Sequence, residues 1–161
     1  MRWIWIDKFV EFTSRTSATA VKNVSLAEEH LHDLYPAFPI VPHSLIIEGM
    51  AQTAGILVGE ARNFAEKVIL AKIGRATFHR LVRPGDTITY AATIQQLSEQ
   101  GASIEGKVTV GPDLVAEIEL MFSHIDQNMA GMKFPEHNFV FTEQFTELLK
   151  GFRNDDTIKL G

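Results

Sequence analysis

The sequence predicts an α+β protein in which an antiparallel sheet wraps around one long central helix. Residues 44–62 form the longest helical pattern, and their apolar side chains occupy nearly every face of that helix, which is typical of a buried helix. Four strand-like segments then follow at short spacing with no helix between them. Parallel strands need crossover helices, so this order favours an antiparallel sheet.

Nine segments carry secondary-structure patterns. In chain order they are two strands, a short helical segment, the central helix, four strands and a C-terminal helix. The predicted bounds are Trp3–Thr13, Ala18–Val24, Leu26–Leu34, Ser44–Arg62, Val68–Arg80, Asp86–Gln96, Ser103–Val110, Leu114–His124 and Thr142–Phe152. We expect residues 1–128 to form the main domain and residues 129–161 to form an extension that contains the last helix.

The composition excludes several classes of protein. A hydrophobic content of 45% over 161 residues indicates a globular chain, and a net charge of −5 argues against binding to nucleic acid. Without cysteine there can be no disulfide, thiolate nucleophile or cysteine-ligated zinc, and a reducing cytoplasm is the expected location. No apolar run reaches the roughly 20 residues that a membrane helix needs.

The segment before the central helix is the most informative part of the chain. Pro36, Pro39 and Pro42 each fix their own φ angle, so they predict a stiff, extended loop and a helix that begins abruptly after Pro42. Within the apolar helix stands one carboxylate, Glu48. A charged group in such surroundings is costly unless it is paired or used, which makes Glu48 the leading candidate for a catalytic residue.

Three segments resemble a known family. The stretch LYPAFPIVPHSLIIEGMAQ, residues 34–52, resembles without a gap the signature HFPGxPVxPGVLxxEAMAQ of the 3-hydroxyacyl-ACP dehydratases of the FabA/FabZ type, where ACP is the acyl carrier protein. Residues 20–25 resemble the family's upstream strand, and residues 75–86 resemble its KARFKRPVxPGD segment. The resemblance covers about residues 3–125. It implies the hot-dog fold, acyl thioester substrates in fatty acid metabolism, a homodimer or hexamer, and no metal or redox cofactor.

Two departures from the signature concern the chemistry. The family's catalytic histidine falls at Leu34, and the glycine that opens its central helix falls at His43, whereas its carboxylate is kept as Glu48. The resemblance implies that Glu48 is the general acid and that the backbone N–H groups at His43 and Ser44 polarise the thioester carbonyl. The missing base could be His43, acting across a dimer, or His32.

Each candidate residue also has a structural interpretation. Glu48 could be a buried structural glutamate, His43 a surface residue, and Gln52 either a group that orients Glu48 or a glutamine bonded to water. Pro42, Ser44, Gln52 and Phe78 are the predicted substrate-binding residues, with Phe78 facing the core or the acyl chain. His30, His32 and His43 match no zinc spacing, so we expect no metal site.

A cluster of basic residues follows the central helix. An acidic acyl carrier protein or the phosphates of CoA would be attracted to such a cluster, and a solvated strand face explains it equally well. The cluster consists of Arg75, His79, Arg80 and Arg83.

Three functions fit these observations. The first is reversible dehydration of a 3-hydroxyacyl-ACP or 3-hydroxyacyl-CoA. The second is hydrolysis of an acyl thioester on the same fold, which needs an acid on the helix but no histidine. The third is an acyl-binding subunit without catalytic activity. The leucine at position 34 favours the second and third alternatives.

Overall fold

The computed structural model describes residues 4–125 and 147–151. In these residues, six strands form one antiparallel sheet in the order β1-β2-β4-β5-β6-β3. A short helix, α1, and the central helix, α2, lie between the second and third strands, so the predicted α+β architecture is confirmed. The elements are β1 Lys8–Thr13, β2 Ser17–Asn23, α1 Glu29–Asp33, α2 His43–Glu60, β3 Lys67–Phe78, β4 Thr87–Leu97, β5 Gly101–Val110 and β6 Asp113–Ile125.

Helix α2 is the centre of the hydrophobic core. It begins directly after Pro42, as the proline loop predicts, and it presents Ile46, Met50 and Leu57 to the sheet with no exposed surface. A close approach to the sheet requires a glycine at position 49, because a Cβ atom there would collide with the ring of Tyr90. The small residues of α2 therefore bring the helix close to β4.

Strand β1 begins at Lys8 and not at the predicted Trp3. Trp5 and Ile6 are nevertheless buried, at 6% and 2% exposure. A buried irregular segment can have the same apolar content as a strand, which explains why the predicted start of β1 was too early. The N–H of Trp5 donates its hydrogen bond to the Gln52 side chain and not to a neighbouring strand.

Strand β3 ends at Phe78, two residues before the predicted Arg80. His79 still donates its N–H to the carbonyl of Val115, at 2.8 Å. Beyond it the chain leaves β6, and Val82 accepts a hydrogen bond from Val41 at the end of the proline loop. The segment after β3 therefore packs against the start of α2.

The sheet has two edges of different character. At one edge, β1 has six residues. At the other, β3 has twelve residues and, among the described strands, pairs only with β6. Residues 70–75 of β3 are all exposed, including Leu70 and Ile73 at 38% and 44%. This stretch also carries Lys72 and Arg75, and its pairing with β6 is irregular between Leu70 and Lys72 and between Ile73 and Arg75. The strand leaves backbone groups unpaired within the described chain, and such an edge can add a strand from another chain.

The C-terminal extension is described only at residues 147–151, which are helical. Leu149 is 3% exposed and belongs to the same hydrophobic core as α2. The remainder of the predicted helix Thr142–Phe152 lies outside the described residues. No helix in the described part of the chain is long and apolar enough to cross a membrane.

Candidate active site

Glu48 is half-buried in the N-terminal part of α2, and one of its oxygens is fixed by a neighbour. The side chain of Gln52, one turn further along, donates from Nε2 to Glu48 Oε1 at 2.9 Å. The Oε1 of Gln52 in turn accepts the backbone N–H of Trp5 at 2.7 Å. Within the described residues, no group hydrogen-bonds the other Glu48 oxygen, Oε2. This oxygen is therefore available to a ligand.

The start of α2 carries free hydrogen-bond donors. The carbonyl of Pro42 accepts from the N–H groups of Leu45 and Ile46, at 3.0 and 3.2 Å. The N–H groups of His43 and Ser44 have no partner among the residues that the structure describes. No acidic residue occupies the first turn. Unpaired donors together with the helix dipole favour a negatively charged or polarised oxygen at this place.

The imidazole of His43 is stacked flat on the ring of Phe78. The two ring centroids lie 3.9 Å apart, and the ring planes differ by 3°. Phe78 is the last residue of β3 and is half-buried, so the stack joins the helix start to the sheet and orients the histidine. No hydrogen bond or ion pair joins His43 to Glu48 within the described chain. The structure thus brings His43 and Phe78 together, without a direct link from either to the acid.

The proline loop presents apolar side chains to solvent. Leu34, Tyr35 and Phe38 are 54%, 51% and 47% exposed. His32 is also exposed, at the end of α1. Leu34, which occupies the position of the family's histidine, therefore faces solvent in the single chain. The role of His32 stays a prediction.

Two residues of the predicted carrier-binding cluster are paired with carboxylates across the sheet. The Arg75 guanidinium lies 2.7 Å from a carboxylate oxygen of Glu119, and His79 Nε2 lies 3.2 Å from Glu117. Both pairs join β3 and its extension to β6. These partners reduce the positive potential that an acidic carrier would meet.

The other two cluster residues lie in the segment that follows β3, and one of them contacts the proline loop. Arg80 contacts both carboxylate oxygens of Asp86, at 3.2 and 3.3 Å, and approaches Asp113 at 3.6 Å. Arg83 forms no ion pair with the described residues, and its guanidinium lies over the ring of Phe38, 4.6 Å from the centroid. Of the four predicted carrier-binding residues, Arg83 therefore keeps its charge least compensated.

Two residues that contact the site indirectly were not among the predicted site residues. His30, in α1, meets the Trp5 ring edge-on, with centroids 5.1 Å apart and ring planes at 78°. Partial burial lowers the pKa of His30, the nearby Glu28 carboxylate opposes this shift, and Lys22 reinforces it. The hydrogen bond from Trp5 to Gln52 spans 47 residues, so no local pattern could have revealed it.

Within residues 4–125 and 147–151, no three side chains among histidine, aspartate and glutamate group together in a way that could hold a metal ion.

A family model described as a FabA-like domain matches residues 4–119. The chain belongs to this FabA-like family. The curated relatives include the 3-hydroxyacyl-[acyl-carrier-protein] dehydratase FabZ of Pelotomaculum thermopropionicum, which is 35% identical over 122 residues, 75% of this chain and 87% of that protein. The FabZ of Clostridioides difficile is 31% identical over 126 residues, 78% of this chain and 89% of that protein. The predicted resemblance to the FabA/FabZ family is therefore confirmed.

Solved structures support the same fold at low sequence identity. The dehydratase heterocomplex ApeI:P from Xenorhabdus doucetiae matches with a TM-score of 0.63 and 16% identity, over 78% of this chain and 85% of that one. A point mutant of the fluoroacetyl-CoA-specific thioesterase FlK matches with a TM-score of 0.59 and 16% identity, over 71% of this chain and 89% of that one. The predicted hot-dog fold of this FabA-like chain is confirmed.

Proposed function

We propose that this protein catalyses the reversible dehydration of a 3-hydroxyacyl thioester carried by an acyl carrier protein or by CoA. The observation that carries this proposal is the Glu48 carboxylate, which Gln52 holds by one oxygen while the other remains available. The free N–H groups of His43 and Ser44 open the same helix and support it. Membership of a family whose curated relatives are FabZ dehydratases points to the same reaction.

The N–H groups at the start of α2 and the Glu48 carboxylate have separate roles in this reaction. A base removes the proton from C2 of the substrate, and the thioester oxygen gains negative charge, which the N–H groups of His43 and Ser44 stabilise. Protonated Glu48 donates its proton to the C3 hydroxyl, which leaves as water as the C2–C3 double bond forms. In the reverse direction, the Glu48 carboxylate takes a proton from the attacking water.

We propose His43 as the base, acting on the site of a second subunit. Glu48 lies five residues further along α2, about 140° around the helix and roughly 7.5 Å along it, so the two side chains of one chain face different directions. The β3 edge, which is unpaired within the described chain and exposes Leu70 and Ile73, supports a homodimer. The stack on Phe78 would hold the imidazole in a defined orientation.

The remaining predicted residues line the approach to this site. Pro42 and Ser44 lie at the start of the helix, and Phe78 supplies an apolar wall for the acyl chain.

A carrier would dock beside Arg83, whose charge no described carboxylate compensates. Arg83→Glu should raise KM for a carrier-bound substrate by about 10-fold at low salt and leave a short pantetheine thioester unaffected, because the attraction is electrostatic. If Arg83→Glu impaired activity on both substrates equally, Arg83 would have no specific role in docking the carrier.

A cytoplasmic location fits a chain without cysteine.

Two assays on the wild-type protein test the proposal. Hydration of a 2-enoyl thioester is followed by loss of its conjugated absorbance, and hydrolysis of a saturated thioester is followed by release of free thiol. Hydration without thiol release is the expected result. Binding without either reaction would instead identify an accessory acyl-binding subunit and overturn the proposal.

Thioester hydrolysis is the second candidate function. Leucine replaces the family's histidine at position 34, and Glu48 Oε2 could activate a water molecule without any histidine. Release of thiol that depends on Glu48, with no hydration of the enoyl substrate, would establish this alternative.

A further inference from the structure

The Glu48 carboxylate is connected to the N-terminal segment by a chain of direct contacts. Gln52 is 7% exposed and donates to Glu48, and its own oxygen accepts the N–H of Trp5. Trp5 precedes β1, which begins at Lys8, so its N–H is not used in the sheet. The Trp5 backbone therefore contributes to the orientation of the Gln52 amide and, with it, to the position of Glu48 Oε1.

The segment around Trp5 is held by the hydrogen bond from the Asp7 N–H to the Val21 carbonyl, at 2.7 Å, and by the packing of the indole. The indole is 6% exposed and packs edge-on against His30, with ring centroids 5.1 Å apart. Aromatic pairs in this arrangement attract one another beyond simple burial. His30 is fixed by α1, so this contact joins α1 to the segment that anchors Gln52.

The charges around His30 are compatible with a packed, neutral ring. Its Nδ1 lies 3.7 Å from Glu28, which also pairs with Lys22 at 3.3 Å, and Lys22 lies 3.9 Å from Asp7. Burial is the largest influence on His30 and lowers its pKa. A neutral imidazole can pack against an indole without leaving an uncompensated charge inside the protein.

We infer that Trp5 and His30 position the Glu48 carboxylate, acting through Gln52. This inference rests on the proposed role of Glu48 as the general acid. Without the His30 ring, the Trp5 backbone shifts, its hydrogen bond to the Gln52 oxygen weakens, and Glu48 samples orientations that do not reach the substrate hydroxyl. The chemical step slows, whereas substrate binding at the start of α2 does not change.

The test compares four variants of the full chain in the hydration assay. His30→Ala should lower kcat by about 10-fold at unchanged KM, since small misplacements of a catalytic group reduce the rate strongly. His30→Phe keeps an aromatic ring in contact with Trp5 and should restore kcat. Gln52→Met should lower kcat, and adding His30→Ala to it should cause no further fall, because both changes break the same chain of contacts. Where His30→Ala does not fold, His30→Gln removes the ring and serves the same comparison.

A packing control and a readout without substrate complete the experiment. Phe9 and Phe12 form a similar edge-on pair, with centroids 5.3 Å apart, that takes no part in the hydrogen bonds of Gln52 with Trp5 and Glu48. Phe12→Ala should therefore destabilise the fold and leave kcat per folded molecule unchanged. Amide hydrogen exchange measured by NMR should become faster at Trp5 in both His30→Ala and Gln52→Met.

The outcomes separate this inference from the proposed function. If Glu48→Gln retains full activity, Glu48 is not the acid and the proposed function fails. If Glu48→Gln is inactive while His30→Ala has normal kcat, only the positioning role is overturned. Additive losses in the His30→Ala, Gln52→Met double variant, or unchanged exchange at Trp5, would also overturn it.

Discussion

The two halves of helix α2 differ in what surrounds them, although one continuous apolar pattern runs through both. In residues 43–51, several side chains are exposed or half-buried, and the half contains the free N–H groups and Glu48. In residues 52–59, every residue is buried. The described chain covers the second half completely and the first only in part. We propose that the first half, together with Gln52 at the boundary, serves the chemistry, and that residues 53–59 serve stability.

The largest expected effect is on stability, in the second half of the helix. Leu57 has no exposed surface, and Leu57→Ala should reduce the free energy of unfolding by about 2–5 kcal/mol because it leaves a cavity in the core. Chemical denaturation measures this change. Turnover per folded molecule should stay near that of the wild type. A large loss of turnover in the folded fraction would mean that the two halves are not functionally distinct.

The second prediction concerns Glu48→Gln in the first half. The change preserves shape and removes the proton donor, so hydration should slow by at least about 10²-fold, the scale of general acid–base catalysis. The unfolding free energy should change little, because the carboxylate is only half-buried. Normal turnover would leave Glu48 as a structural residue.

The third prediction concerns the base. If His43 removes the C2 proton, His43→Ala should lower hydration by about 10²-fold even though the backbone N–H remains. The measurement is kcat on a short enoyl thioester. Leu34→His gives the complementary test, since it restores the family's residue in the proline loop. Full activity in His43→Ala, together with a gain in Leu34→His, would show that the wild type lacks this base.

The smallest effect is expected at a glycine in the buried half. A Cβ atom at Gly55 would lie 3.6 Å from Phe122 Cε1, an ordinary contact distance. Gly55→Ala should therefore raise stability by about 0.5–1 kcal/mol, the difference between glycine and alanine within a helix. Gly49→Ala is the matched control and should destabilise the fold, because its Cβ would collide with the Tyr90 ring. Thermal unfolding distinguishes the two signs.

The sequence predicted most of the fold because its signals are local. The prolines before α2 and the alternating strands after it have propensities that the tertiary structure does not override, so the start of α2 and the succession of strands after it were predicted correctly. The bound of β1 was wrong because the burial of Trp5 and Ile6 produces the same apolar pattern as a strand.

The candidate site was predictable only in part. Glu48 and Gln52 are one helical turn apart, so their contact follows from spacing. The stack of His43 on Phe78 and the contact of Trp5 with Gln52 join distant parts of the chain, and only the fold brings them together. The same holds for Arg75, whose positive charge faces the Glu119 carboxylate from another strand.

The most direct test of a catalytic first half is a crystal structure with a bound 3-hydroxyacyl pantetheine amide, a stable mimic of the substrate. We predict that the amide carbonyl accepts hydrogen bonds from the N–H groups of His43 and Ser44. We also predict that the C3 hydroxyl lies within hydrogen-bonding distance of Glu48 Oε2, and that the imidazole nearest C2 belongs to a second subunit. A mimic bound away from the start of α2, or with its hydroxyl remote from Glu48, would show that the first half of α2 is not the catalytic site.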